Sequence, residues 1–197
     1  GASGDKNITH NLGVTPRFII TKSRDSGSFN WSIYHASACS NLQWLRFTTD
    51  SIVSNGTNCW GTGHTSSTFG ITSNNCVPAN TNCVAYVWAE VPGFSKFGSY
   101  TGNGSADGPF VYTGFRPRFI MIKDTTQAFN WLMVDTSRDT YNSASKDLFP
   151  NISDAETTTA NSLDFLSNGF KTGKLLVGVS LTWLVAPMPP FKVQWFP

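Results

Sequence analysis

The chain has 197 residues, of which 13% are charged and 14% aromatic, and its formal net charge is +2. Aromatic residues at this frequency exclude a disordered chain, and a small charge carried by singly scattered Lys and Arg argues against a nucleic-acid partner. No apolar run approaches the roughly 20 residues that a membrane helix needs, so we expect no membrane insertion.

The first half of the chain alternates short apolar strands with polar turns. A Gly-x-x-Pro turn at residues 13–16 leads into a predicted strand at 17–22, and a second strand follows at 29–34. Phe29, Trp31 and Ile33 alternate with polar residues, which is typical of a strand with one buried face. Further strands are predicted at 42–47, 68–71 and 84–90. This spacing of strands and turns predicts an antiparallel β-sandwich or jelly roll.

A Gly-rich loop at residues 55–67 contains the candidate binding residues Trp60, His64 and Asn58. An aromatic side chain exposed in a loop can stack on a sugar or fill a pocket of a protein partner. The alternative is that Trp60 folds back and caps the core of the sandwich. The two interpretations differ in the exposure that they predict for the indole ring.

All four cysteines lie in the first half of the chain: Cys39, Cys59, Cys76 and Cys83. The turn-like segment 77–82 would allow a disulfide between Cys76 and Cys83, and buried free thiols are the alternative. The spacing contains no C-x-x-C pair, so we predict no zinc site.

The second half of the chain repeats the first. Residues 114–123 match residues 13–22 at six of ten positions with a constant offset of 101, and the tripeptide at 29–31 recurs at 129–131. Two more blocks follow in the same order, 68–69 with 169–170 and 84–89 with 181–186. Four collinear blocks indicate a duplication.

We therefore predict an all-β chain made of two tandem copies of an antiparallel β-sandwich or jelly-roll-like repeat of about 100 residues, with little helix. The first copy spans residues 1–92, a connecting segment spans 93–112, and the second copy spans 113–197. The copies are small enough to pack as one unit. Ser153 stands three residues before Glu156, a spacing that predicts at most one helical turn.

Catalytic patterns are missing from the sequence. No G-x-S-x-G turn is present, the three histidines lie in unrelated contexts, and the only glutamates, Glu90 and Glu156, form no recognisable pair. Nucleophilic and glycosidic catalysis both need such positioned groups. The loop at 102–108 has a single carboxylate, so a hairpin turn is favoured over a calcium site. We predict that the chain is not an enzyme and needs neither a metal nor a cofactor.

Four segments carry a family resemblance: residues 10–16 (HNLGVTP), 93–104 (GFSKFGSYTGNG), 114–117 (GFRP) and 164–171 (DFLSNGFK). Through them the chain resembles a family of phage tail and virion proteins that carry a repeated all-β domain of unknown function. The resemblance ends after Lys171.

This resemblance implies a structural component of a bacteriophage virion, with a tail-fibre module for host attachment favoured over other places on the particle. A capsid decoration or head-fibre protein and a carbohydrate-binding module without catalysis are the alternatives. The implied partners are other virion proteins, further copies of the chain in a homo-oligomer (a trimer is favoured), and a host-surface glycan or protein receptor.

Overall fold

The fold was analysed in a computed structural model that describes residues 5–54, 59–61, 63–72, 76–173, 180–186 and 191–196. The regular structure in these residues is β-strand with antiparallel pairing, which confirms the predicted all-β class. The strands are β1 (Asp5–Thr9), β2 (Phe18–Ser23), β3 (Ser32–His35), β4 (Gln43–Arg46), β5 (Val53–Ser54), β6 (Thr68–Thr72), β7 (Cys83–Trp88), β8 (Lys96–Thr101), β9 (Phe110–Tyr112), β10 (Phe119–Asp124), β11 (Leu132–Asp135), β12 (Ala144–Asp147), β13 (Thr157–Leu166), β14 (Gly169–Thr172), β15 (Ser180–Ala186) and β16 (Phe191–Phe196).

Two units divide the strands between them. Unit 1 contains β1 to β7 together with β16, and unit 2 contains β8 to β15 together with residues 48–51. Each unit has its own cluster of buried apolar side chains. Two small cores in one chain of this length are consistent with the usual size of independently packed β modules.

In unit 1, a six-stranded sheet has the order β16-β7-β2-β3-β4-β5, and β1 pairs with β6 in a second sheet. Cys83, Ala85 and Val87 take alternate positions on β7 and face the core, as the two-residue period of a strand requires. Phe196 of β16 also lies in this core, with its ring edge-on to that of Phe69 at 6.3 Å between centroids.

In unit 2, two four-stranded sheets have the orders β11-β10-β15-β8 and β12-β13-β14-β9. Ile120 and Ile122 of β10 pack in the core with Phe165 of β13 and Phe170 of β14. Val111 of β9 also lies in this core. Because side chains alternate along a strand, the neighbours of Phe170 on β14 and of Val111 on β9 lie on the opposite side of the β12-β13-β14-β9 sheet.

The first hairpin of each unit has the same register. Phe18 lies opposite His35 in β2–β3, and Phe119 lies opposite Asp135 in β10–β11. Gly13 and Gly114 before these hairpins both have positive φ angles, 76° and 86°, which glycine adopts at no steric cost. The two hairpins therefore agree in strand register and in the glycine that precedes them. The duplication of the complete copies stays a prediction.

A lysine anchors each of these hairpins. The ammonium of Lys22 donates a hydrogen bond to the carbonyl oxygen of Phe29, and the ammonium of Lys123 donates one to the carbonyl oxygen of Phe129 at 2.7 Å. Lys123 is fully buried and also donates to Thr49 O at 3.3 Å. Burial lowers its pKa to about 8, although the carboxylates of Asp124 and Asp50 act in the opposite direction.

Two strands pair in a different unit from the strand that precedes them in the chain. β8 follows β7 along the chain but pairs with β15, and β16 follows β15 but pairs with β7. In each case the added strand supplies hydrogen-bond partners for an edge that would otherwise be unpaired. Residues 93–112 are therefore not only a connector, because they provide β8 and β9 of unit 2. The final strand likewise departs from the predicted boundary of the second copy.

The helical turn predicted at residues 153–156 is absent; these residues are irregular and lead into β13. Thr157 to Thr159 are β-branched and favour the strand that begins there. Among the residues that the structure describes, no helix is long and apolar enough to cross a membrane.

Candidate functional site

Trp60 is 0% exposed and belongs to the core of unit 1. Its ring meets that of Tyr34 edge-on at 5.6 Å between centroids. The interpretation of Trp60 as a contact residue is therefore wrong, and the alternative that the indole folds back onto the core is correct. The physical reason is size: a large apolar ring stabilises a small sandwich far more inside it than in the loop.

His64 is partly buried beside the same rings, 4.4 Å from Tyr34 and 6.4 Å from Trp60 between centroids. Its Nδ1 accepts a hydrogen bond from the backbone N–H of Gly70 at 3.4 Å. Burial lowers the pKa of His64 to about 4, with a smaller contribution from His10. The imidazole is therefore neutral near pH 7 and serves the packing of unit 1. Asn58, the third residue of the predicted patch, lies outside the described residues.

The disulfide joins Cys59 to Cys76, whose Cα atoms are 5.2 Å apart, so the predicted pairing of Cys76 with Cys83 is wrong. The backbone explains the choice of partner, because Thr72 at the end of β6 donates its N–H to the carbonyl of Cys59 at 2.9 Å. That bond holds Cys59 beside the chain that leads to Cys76. Cys39 and Cys83 are buried free thiols, and burial raises the pKa of both.

No three His, Cys, Asp or Glu side chains within the described ranges lie close enough together to hold a metal ion. The Asp residues near the end of β11 have local roles. Asp135 pairs with Arg138 at 2.6 Å, and Asp139 accepts the backbone N–H groups of Ser145 and Lys146. These carboxylates hold a turn in place.

The side chains on the outer side of β9 are two exposed aromatics. Phe110 is 48% exposed and Tyr112 is 59% exposed, whereas Val111 between them is buried in the core of unit 2. β9 is an edge strand and pairs with β14 so that Phe110 lies opposite Lys171 and Tyr112 lies opposite Gly169. Two aromatic rings thus share one solvent-facing surface.

Gly169 keeps this surface flat. A Cβ atom at that position would lie 2.2 Å from the carbonyl oxygen of Val111 and 2.8 Å from the ring of Phe110. The phenyl ring therefore rests across the glycine and is held by it. The ammonium of Lys96 lies 5.5 Å from the ring centroid of Tyr112, within the range of a cation–π contact.

A small polar cavity lies beside Lys171, the residue opposite Phe110 in the sheet. Its volume is about 220 Å³, and its polar lining residues are Asp107, Asp164, Lys171 and Thr172. Lys171 forms an ion pair with Asp107 and lies opposite Asp164 in the sheet. Thr172, at the end of β14, is buried. We call Phe110, Tyr112, Gly169 and the cavity residues the Phe110 face.

The loop that closes the cavity is fixed by its own polar groups. Asn103 Nδ2 donates to Asp107 O at 2.9 Å, and the N–H of Asp107 donates to Ser105 Oγ at 3.1 Å. Gly108 packs on Thr172 so closely that a Cβ would lie 2.5 Å from the Thr172 carbonyl oxygen. Asp107 is thereby held at the rim of the cavity.

The candidate binding residues predicted from the sequence did not include the Phe110 face. The available signal was the pattern aromatic, Val, aromatic on a short strand. If the valine faces the core, both rings must face solvent. Which side faces the core becomes known only when β9 is placed beside β14.

The chain is all-β with two core-bearing units, and unit 2 carries the exposed rings of Phe110 and Tyr112 near a polar cavity. A family model described as a domain of unknown function, DUF7483, matches residues 1–178, and the chain belongs to this family. Comparisons with curated proteins and with solved structures give no match.

Proposed function

We propose that the chain is a structural module of a bacteriophage particle, specifically a tail-fibre module that takes part in host attachment. Its partners in this role are other virion proteins and further copies of itself, in a trimer, with a host-surface glycan or protein as receptor. The sequence resemblance carried by residues 10–16, 93–104, 114–117 and 164–171 supports this assignment.

The disulfide in the core of unit 1 is the structural observation that carries the proposal. Disulfides persist in oxidising surroundings, among them the surfaces of virus particles and cells, and are rare in proteins that stay in a reducing cytosol. Cys59 and Cys76 are both almost completely shielded from solvent. A bridge in that position favours a protein that works outside the cell.

The composition agrees with such surroundings. Only 13% of the residues are charged, and Ser, Thr and Asn are abundant. Backbone that is paired in antiparallel sheets offers few cleavable segments to a protease. A weakly charged surface also limits non-specific binding to charged polymers outside the cell.

The test is the number and position of copies on purified particles. Quantitative mass spectrometry against the major capsid protein gives the number, and gold-labelled antibodies give the position. A tail fibre predicts a few tens of copies at the tail. Hundreds of copies on the head would support a capsid decoration or head-fibre protein and overturn the tail assignment. Light scattering of the isolated chain tests the trimer.

A further inference from the structure

We propose that the Phe110 face of unit 2 is a glycan-binding site that takes an uncharged pyranose unit. Its setting in host attachment rests on the proposed function, whereas the binding itself is a property of the isolated chain. The site combines three neighbouring features of unit 2: exposed aromatic rings, a polar cavity beside Lys171, and a loop at the rim of the cavity that is held by its own hydrogen bonds.

The aromatic rings are not needed for the core on their side of the sheet. Val111 supplies the core contact of β9, so Phe110 and Tyr112 remain largely in water. Covering Gly169 accounts for the position of Phe110 but not for that of Tyr112. Residues two apart on a strand are separated by about 6.6 Å, comparable with the length of one sugar ring. The apolar C–H side of a pyranose can therefore lie against such a pair.

The cavity supplies the polar half of sugar recognition. Carboxylates accept hydrogen bonds from sugar hydroxyls, and an ammonium donates to sugar oxygens. Asp107, Asp164 and Lys171 present these groups side by side. A cavity of about 220 Å³ suits one monosaccharide unit. It lies below the roughly 300–1,000 Å³ typical of sites for larger ligands.

Charge defines the class of sugar. Asp107 and Asp164 contribute two negative charges, and Lys171 and the Lys96 ammonium beside Tyr112 contribute two positive charges, so these four side chains sum to zero. The site therefore has no net charge with which to attract an ionised sugar. Its aromatic rings and its hydrogen-bonding side chains suit uncharged hexoses and their N-acetyl derivatives.

Fixed groups lose little conformational freedom when a ligand binds, which improves affinity. The Asn103 and Ser105 contacts hold the loop, and the ion pair of Asp107 with Lys171 orients both charges. Phe110 rests on Gly169, and Lys96 contacts the ring of Tyr112. These contacts reduce the conformational freedom that the loop and the rings would lose on binding a ligand.

The experiment is a glycan array followed by titration calorimetry of the best neutral ligand with the full chain. Tyr112→Ala removes one ring, and Asp164→Asn removes one carboxylate while keeping its size. The matched control is Tyr141→Ala, which removes another exposed tyrosine of unit 2, 84% exposed, that lies outside the Phe110 face. Thermal unfolding of every variant verifies that the fold is intact.

We expect Tyr112→Ala and Asp164→Asn each to weaken binding about tenfold or more, with Tyr141→Ala unchanged. Three results would overturn the proposal: no uncharged glycan bound by the unmodified chain, a preference for anionic glycans, or equal binding by Tyr112→Ala and the control. Copy number and position on the particle are measured separately. The glycan site can thus fail while the tail assignment holds, and the reverse is also possible.

Discussion

Replacing His64 by Asn should remove a specific acid-dependent loss of stability from unit 1. The neutral His64 ring uses Nδ1 to accept the N–H of Gly70. A proton on Nδ1 would end that bond and bring a charge into partly buried surroundings. Asn at position 64 keeps an acceptor oxygen near the same place but cannot take up a proton. The two proteins should therefore differ in how their stability depends on pH.

The magnitude follows from the pKa of about 4 in the folded protein against 6.5 for an unperturbed imidazole. Between these values the unfolded chain binds a proton that the folded chain does not, so stability falls as the pH falls. From about pH 7 to about pH 5, the wild type should lose about 1–2 kcal/mol more than His64→Asn, after allowance for partial exposure of the ring.

Urea unfolding followed by tryptophan fluorescence, at several pH values between these limits, measures the difference between the two proteins. Using the difference cancels the titration of every group that they share. Parallel stability curves for wild type and variant would refute the reasoning. So would an NMR titration in which the His64 ring of the folded protein takes up its proton near pH 6.5.

Three further outcomes follow from contacts in the two units. Phe196→Ala should destabilise unit 1 by about 3 kcal/mol or more, because it leaves a cavity in the core beside Phe69. Denaturant unfolding measures this cost, and a value below about 1 kcal/mol would contradict the burial of the Phe196 ring in this core. Reduction of the disulfide should lower the free energy of unfolding by about 3 kcal/mol, since it opens a loop of sequence separation 17. In the native oxidised chain, a thiol reagent should leave Cys39 and Cys83 unmodified until denaturant is added. Rapid labelling of the native chain would show instead that these two thiols are accessible to solvent. Because the pKa of Lys123 is lowered, the free energy of unfolding of the wild type should rise by about 2 kcal/mol relative to Lys123→Met between about pH 7 and about pH 9.5. If the difference between the two proteins does not change over that range, the lysine is not desolvated.

Some strands were predictable because they are short, apolar and bounded by turn residues. The strand predicted at 29–34 is observed only as β3 (Ser32–His35), and Trp31, expected on its buried face, is 36% exposed. The strands predicted at 17–22, 68–71 and 84–90 are observed as β2, β6 and β7, each displaced by no more than two residues at either end. Local alternation is sufficient for this result, since it reflects only which residues can share a face.

The cysteine pairing and the location of Trp60 depended on contacts between residues far apart in the chain. Cys76 had a plausible partner seven residues away, but the backbone bond from Thr72 brought Cys59 to it. Similarly, the sequence around Trp60 is rich in glycine and looks like an exposed loop, yet the ring fills the core. The spacing of residues along the chain does not indicate which side chains of a loop pack against the sheet.

The membership of β16 in unit 1 has a consequence for synthesis on the ribosome. A chain emerges from its N-terminus at roughly 5–20 residues per second, and domains usually fold in that order. The large sheet of unit 1 gains its β16 edge only when residues 191–196 have left the exit tunnel. The strands of unit 2 emerge before then, so the unit whose strands are made first is the last to be completed. During that interval β7 presents an open edge to other nascent chains, and early chain termination would leave this edge uncovered.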